Sequence, residues 1–375
     1  MRRELLAGAL ADPASVATPA FAQWEELIRR AREANLLGTL AERIRERSLD
    51  DLVPPGPRAH LAAARIRSEA QATAVRRELD QIARALADVG APIVLLKGAA
   101  YFCEGLPIAR GRVFTDIDIL VPKARLDDVE SALLQSGFVT THTNAYDQRY
   151  YRQWMHELPP MQHVRRQTVL DVHHRLLPET SRMHPDSALL FERARPLDDA
   201  AGPLPGAQGA RFSVLAPEDM TIHCATHLFC DEDFSHAPRD LVDFDGLARH
   251  FAATEPDFWA RLVARARTLE LARPLSYALQ WTSRVHGTPV PEEALREARV
   301  DAPPFPIRQV MNALLAPALR PTRGQASTRW ARRVLYVRGH WLKMPPHLLA
   351  WHLTVKAFRR EEPPAADDAR EPKAP

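Results

Sequence analysis

Apolar and polar positions alternate with two different periods along the chain, and the change of period divides it. Up to residue 90 the spacing is helical. Phe21, Trp24, Leu27 and Ile28 fall on one helical face. Val75, Leu79, Ile82, Leu86 and Val89 form a second stripe, closed by Gly90 as a helix-stop residue. Then the texture shifts. Pro92 to Leu96 (PIVLL) is a short unbroken apolar run, as in a buried strand, followed by Lys97-Gly98 and a helical stretch over Ala99 to Leu106. A polar loop, Pro107 to Thr115, leads into a second strand, Asp116 to Val121 (DIDILV), ended by Pro122. Lys123 to Ser136 reads as an amphipathic helix stopped by Gly137, and Phe138 to His142 as a third strand. Residues 161–165 and 168–174 read as a hairpin turning at Arg166-Gln167. After a Gly/Pro-rich loop, Ala201 to Ala210, helices return at Pro217-Glu218-Asp219 and persist to about Phe358.

This pattern predicts an α+β protein: a small mixed sheet flanked by helical regions. The expected divisions are an N-terminal helical region over 1–90, a core over 91–200, a C-terminal helical domain over 211–360 and a disordered tail over 361–375.

Composition refines the picture without redirecting it. At 375 residues, with 46% hydrophobic and 26% charged positions, the chain is an ordinary globular protein. Three cysteines without framework spacing favour a reducing compartment, so a cytoplasmic location is expected. No apolar run approaches a spanning helix. The net charge is only +3, yet between Ala302 and Arg360 there are eleven Lys or Arg and no Asp or Glu. Trp330, Trp341 and Trp351 are interleaved with those cations. That composition suits a polyanion or an anionic membrane surface. The plainer expectation is a helical domain with a solvated basic face and buried tryptophans.

The chemistry concentrates in the predicted sheet. On the DIDILV strand, Asp116 and Asp118 share one face. Two carboxylates there repel, and a hard divalent cation such as Mg2+ or Mn2+ resolves the repulsion. A third acid, Asp171, lies on another predicted strand (TVLDVHH) and shares its face with His173. Three acids from two strands are suited to metal-assisted phosphoryl chemistry. A glycine after a buried strand, Gly98, admits a close backbone approach to phosphate; Lys97 adds a cation, and Arg110 and Arg112 could grip a triphosphate. Each has a plainer alternative: a solvated strand face for the acid pair, an Arg165 or Arg175 partner for Asp171, and a solvent charge for Lys97. His173 fits either a bond to metal-bound water or a substrate oxygen, or a group supporting the metal ligands. His223 and His227 lie on one helical face, but no Glu follows His223 as a hydrolytic zinc motif requires, so packing is the expectation. Arg239 and Asp243 have the spacing of a structural pair.

The segment VLLKGAAYFCEGLPIARGRVFTDIDILV, with the helix and LLQSGF that follow, resembles the DNA polymerase beta-type nucleotidyltransferases. More closely it resembles a bacterial family of uncharacterised nucleotidyltransferases, over about 90–180 and more weakly through PEDMTIHCATHLF and RDLVDFDGLA. The resemblance implies metal binding by Asp116, Asp118 and Asp171, phosphate binding at Gly98, and an NTP substrate, ATP by expectation. Gly98 is followed by Ala99 where the superfamily usually has Ser or Gly, which removes a hydroxyl contact to phosphate. The alternative is therefore an inactive relative that binds a nucleotide or a partner without turnover.

Overall fold

A computed structural model describes residues 5–17, 21–114, 116–142, 144–197, 211–231, 233–320 and 325–350. Four helices open the chain: α1 (Leu5–Ala11), α2 (Phe21–Glu33), α3 (Leu37–Glu46) and the long α4 (Pro55–Ala85). They close over their own apolar cluster, with Trp24, Leu27, Leu40 and Ile44 almost wholly buried. The C-terminal half of α4 leaves that cluster, and Leu79 and Ile82 join the main core instead.

The central sheet has seven strands: β1 (Ile93–Leu95), β2 (Asp116–Leu120), β3 (Phe138–Thr140), β4 (Met161–His163), β5 (Val169–His173), β6 (Arg195–Pro196) and β7 (Phe212–Val214). Their order is β3-β4-β5-β2-β1-β7-β6. The β2–β5 and β1–β7 pairs are parallel and the rest antiparallel. The expected strands and hairpin are present, whereas β6 and β7 lie outside the expected set. Around the sheet lie α5 (Lys97–Cys103), α6 (Leu126–Gln135), α7 (Ala145–Trp154) and α8 (Ala188–Phe191).

Among the described residues seven helices follow: α9 (Pro217–Cys230), α10 (Ala237–Thr254), α11 (Phe258–Thr268), α12 (Ala272–Val285), α13 (Glu292–Val300), α14 (Phe305–Ala318) and α15 (Ala326–Lys343). Pro217 opens α9 as expected, with Glu218 and Asp219 in its first turn. α9 is buried nearly all round, because α10, α11 and α12 pack against it. The sheet and these helices share one continuous apolar cluster, so the core does not break near residue 200. Trp351 and the tail over 361–375 lie outside the described residues.

Two corrections concern the C-terminal helices. Trp330 and Trp341 are not buried: they are 63% and 44% exposed, in line on α15 with Val337. The opposite face, through Ala331 and Leu335, docks on the core, and a helix this far out has only one face to bury. Asp243 does not pair with Arg239. It accepts from Arg112 Nε at 2.9 Å, while Arg239 bonds its neighbour Asp240.

Candidate active site

The site begins with strand register. Asp116 and Asp118 alternate with buried Ile117 and Ile119 on β2, so the apolar pair anchors one face and the acids share the other. The parallel pairing sets Asp118 directly opposite Asp171 on β5. The consequence is convergence: carboxylate oxygens of Asp116, Asp118 and Asp171 all lie within 4.8 Å of one another.

Lys97 arrives from the other side. Leu96 still donates to the Asp118 carbonyl as the sheet ends, and α5 begins at the next residue. Lys97 makes that turn in the left-handed region, at φ 47°, a conformation unfavourable for a residue with a β-carbon. The turn aims Nζ at Asp118 Oδ1, 2.7 Å away. The same oxygen faces His173 Nε2 at 3.1 Å, and His173 Nδ1 faces Glu157 Oε2 at 3.3 Å. Glu157 reaches this place because its backbone forms an isolated bridge with His173.

These neighbours set the charges. Burial pushes the Asp118 carboxyl up, but the Lys97 ammonium and the His173 hydrogen bond outweigh it and hold the group well below the usual carboxylate range. Burial lowers the His173 imidazole, yet Glu157 and Asp118 outweigh that and leave it raised. At Asp171, burial and then the charges of Asp118 and Glu157 outweigh the downward pull of His173 and push the carboxyl up to about 7. Its Oδ1 is buried without a hydrogen-bond partner. A crowded acid cluster with an orphaned oxygen and hard donors fits a divalent cation.

Beside Asp171 opens a cavity of about 460 Å³, whose lining does not include Asp116 or Asp118. Lys97, Glu157, Asp171 and His173 form its floor, and Tyr150 and Tyr151 of α7 one wall. The C-terminal helices contribute to the lining too: His227 on α9, and Tyr336, His340 and Lys343 on α15. Lys343 Nζ contacts Asp231 Oδ1 at 2.6 Å, which ties the end of α15 to α9.

Not every expected residue reaches this place. Arg112 is buried on Asp243, its guanidinium 5.6 Å from the ring centres of Tyr101 and Phe114. Arg110 pairs with Glu46 of α3. Neither lines the cavity, because their loop folds back against helices rather than over the acids. Gly98 has a packing role that sequence reading did not assign: Arg112 and the Phe114 ring occupy the space a β-carbon would need. His223 is buried beneath the site, and burial holds it well below its ordinary value; His227 faces the cavity. His156 and Glu157 were missed altogether. The only signal for them is a polar pair placed just before the hairpin that carries Asp171 and His173.

The pattern of the uncharacterised nucleotidyltransferases matches residues 21–287. The chain belongs to that family. The match takes in all the acids just described, the helices α2 to α4 and the first part of the C-terminal helices. No curated protein and no solved structure matches the chain. Among the described residues, no helix is long and apolar enough to cross a membrane.

Proposed function

We propose that this protein transfers a nucleoside monophosphate from an NTP, ATP by expectation, to a hydroxyl-type acceptor, with Mg2+ or Mn2+ bound by Asp116, Asp118 and Asp171. The observation that carries this reading is the convergence of those three carboxylates from two parallel strands, within a family of nucleotidyltransferases. A divalent ion bound there would neutralise charge on the phosphate oxygens as the transfer proceeds.

The chain's own residues have separable tasks. Lys97 sits at the mouth of the strand–helix turn, where its ammonium can meet phosphate as well as Asp118. The Lys97-Gly98 turn is the candidate phosphate holder; Arg110 and Arg112 take no part, being held by Glu46 and Asp243. Asp171 completes the metal site and, as the one of the three acids that lines the cavity, is the candidate to orient or deprotonate the acceptor hydroxyl. His173 holds Asp118 in place by its Nε2–H. The cavity of about 460 Å³ between Tyr150, Tyr151 and the C-terminal helices leaves room for a nucleotide-sized group. Three unpaired, buried cysteines support a reducing, cytoplasmic setting.

The test is a metabolite screen with ATP labelled at the α-phosphate. The expected result is label on an acceptor and pyrophosphate release, both lost in Asp116→Ala. Tight ATP binding with no pyrophosphate across the screen would mark an inactive relative. Metal-dependent ATP turnover that survives Asp116→Ala would remove the assignment.

A second reading concerns α15. Its exposed Trp330, Val337 and Trp341 lie among Arg329 and Arg333 in a stretch without acids, which favours a polyanionic surface as partner. Salt-sensitive binding to anionic vesicles or RNA supports it, and indifference to both removes it.

A further inference from the structure

We propose that His156, Glu157 and His173 form a second metal site beside the three aspartates, selective for a borderline transition cation such as Zn2+.

Two ring nitrogens and one carboxylate oxygen lie within 4.8 Å of one another. Four-coordinate zinc, with bonds near 2.0–2.2 Å, sets its donors about 3.3–3.5 Å apart. His173 Nδ1 and Glu157 Oε2 stand 3.3 Å apart, inside that range. His156 Nε2 is 4.0 Å from the same oxygen, somewhat wider than that range, so the ion would have to draw the ring in. The fourth position opens on the cavity, which all three residues line. The donor set differs in kind from the aspartate site. Imidazole nitrogens favour Zn2+ or Co2+ over Mg2+, whereas three carboxylates favour the harder ion.

The surroundings of His173 are those of a metal ligand. Its Nε2 contacts Asp118 Oδ1 at 3.1 Å. A hydrogen bond from that nitrogen to a carboxylate leaves Nδ1 bare and fixes the ring, as in carboxylate–histidine–zinc arrangements. The competing account is a proton: His173 could simply be charged and donate to both carboxylates. That accounts for Glu157 and His173. It does not account for His156, which brings a ring nitrogen into the same cluster. Nor does it require the two imidazoles to lie with ring centres 5.2 Å apart. A metal ion gives all three residues one purpose, and its binding releases the proton that otherwise bridges Nδ1 and Glu157.

The site is tested without nucleotide, so its outcome is independent of transferase activity. The full chain is stripped with chelator and titrated with Co2+ while the visible spectrum is recorded. The expected result is the intense bands of four-coordinate Co2+, displaced by Zn2+ but not by excess Mg2+. His156→Ala and Glu157→Gln should each weaken this binding by at least about tenfold, and Asp116→Asn should leave it intact. No such bands in the wild type, Co2+ affinity unchanged in His156→Ala, or bands lost in Asp116→Asn would each overturn the proposal. Should the variants fail to fold, wild-type crystals measured at the zinc edge decide the matter. A peak bonded to His156, Glu157 and His173 supports the site. A peak on the aspartates alone, or none, removes it.

Discussion

Lys97 Nζ and Asp118 Oδ1 meet at 2.7 Å, and Asp118 is among the most buried carboxylates in the sheet. The ammonium is thus the nearest full positive charge to a group that burial alone would neutralise. Breaking a buried ion pair from one side leaves the other charge uncompensated. Lys97→Met should therefore lower stability by roughly 3–5 kcal/mol in chelator. Mg2+ should restore more stability to the variant than it adds to the wild type. Thermal melts of both proteins, with and without Mg2+, give the comparison; equal Mg2+ shifts would mean that Lys97 and the ion do not share Asp118.

Asp171 gives a pH prediction of definite sign. Its carboxyl stands at about 7 in the fold against an ordinary 3.8. A raised folded value means that the contribution to stability is present below about pH 3.8 and is lost as pH rises through 7. Asn cannot ionise, so Asp171→Asn should gain on the wild type across that window and hold a constant lead above it. Melting temperatures between pH 4 and 8, in chelator, test this. A flat difference would show that Asp171 does not titrate there.

Gly98→Ala separates packing from phosphate binding. An added β-carbon would lie 2.9 Å from ring carbons of Phe114 and closer still to Arg112. Overpacking of this kind costs about 1–3 kcal/mol. The expected result is a lower urea midpoint without any nucleotide present. Unchanged stability would mean that the Arg112 side chain yields freely.

Asp243→Ala should be among the more damaging single changes in the C-terminal helices. Arg112 and Asp243 are both buried and 131 residues apart, so the pair joins the loop before β2 to α10. Leaving the guanidinium unpaired costs about 3–5 kcal/mol. Denaturant unfolding measures it; a loss under about 1 kcal/mol would mean that water replaces the carboxylate.

Much of this was legible in the sequence because the signals were local. The run PIVLL, the alternation in DIDILV and the face shared by Asp171 and His173 each need only a few neighbours to interpret. Other parts depend on distant partners. β7 is three residues long and exists as a strand through pairing with β1 and β6, more than a hundred positions from β1. α7, with the sequence AYDQRYYRQW, has an aromatic stripe of Tyr146, Tyr150 and Trp154 set among polar residues, and Asn144, whose side chain accepts from the Asp147 N–H, marks its start. Arg112 has the chemistry of a phosphate ligand, and only the fold reveals that Asp243 holds it. Glu157 enters the site through a single bridge to His173, which no periodicity announces.

Gly38 at the start of α3 and Gly111 in the loop before β2 meet backbone to backbone, with no room for a β-carbon on either. Gly111 also holds a left-handed φ of 72°. The first helices are thereby the abutment on which the loop delivering Asp116 rests. A shortened protein beginning at the sheet would keep its acids but lose the surface that fixes their approach. Reach and aim, more than acidity, would be the first properties to fail.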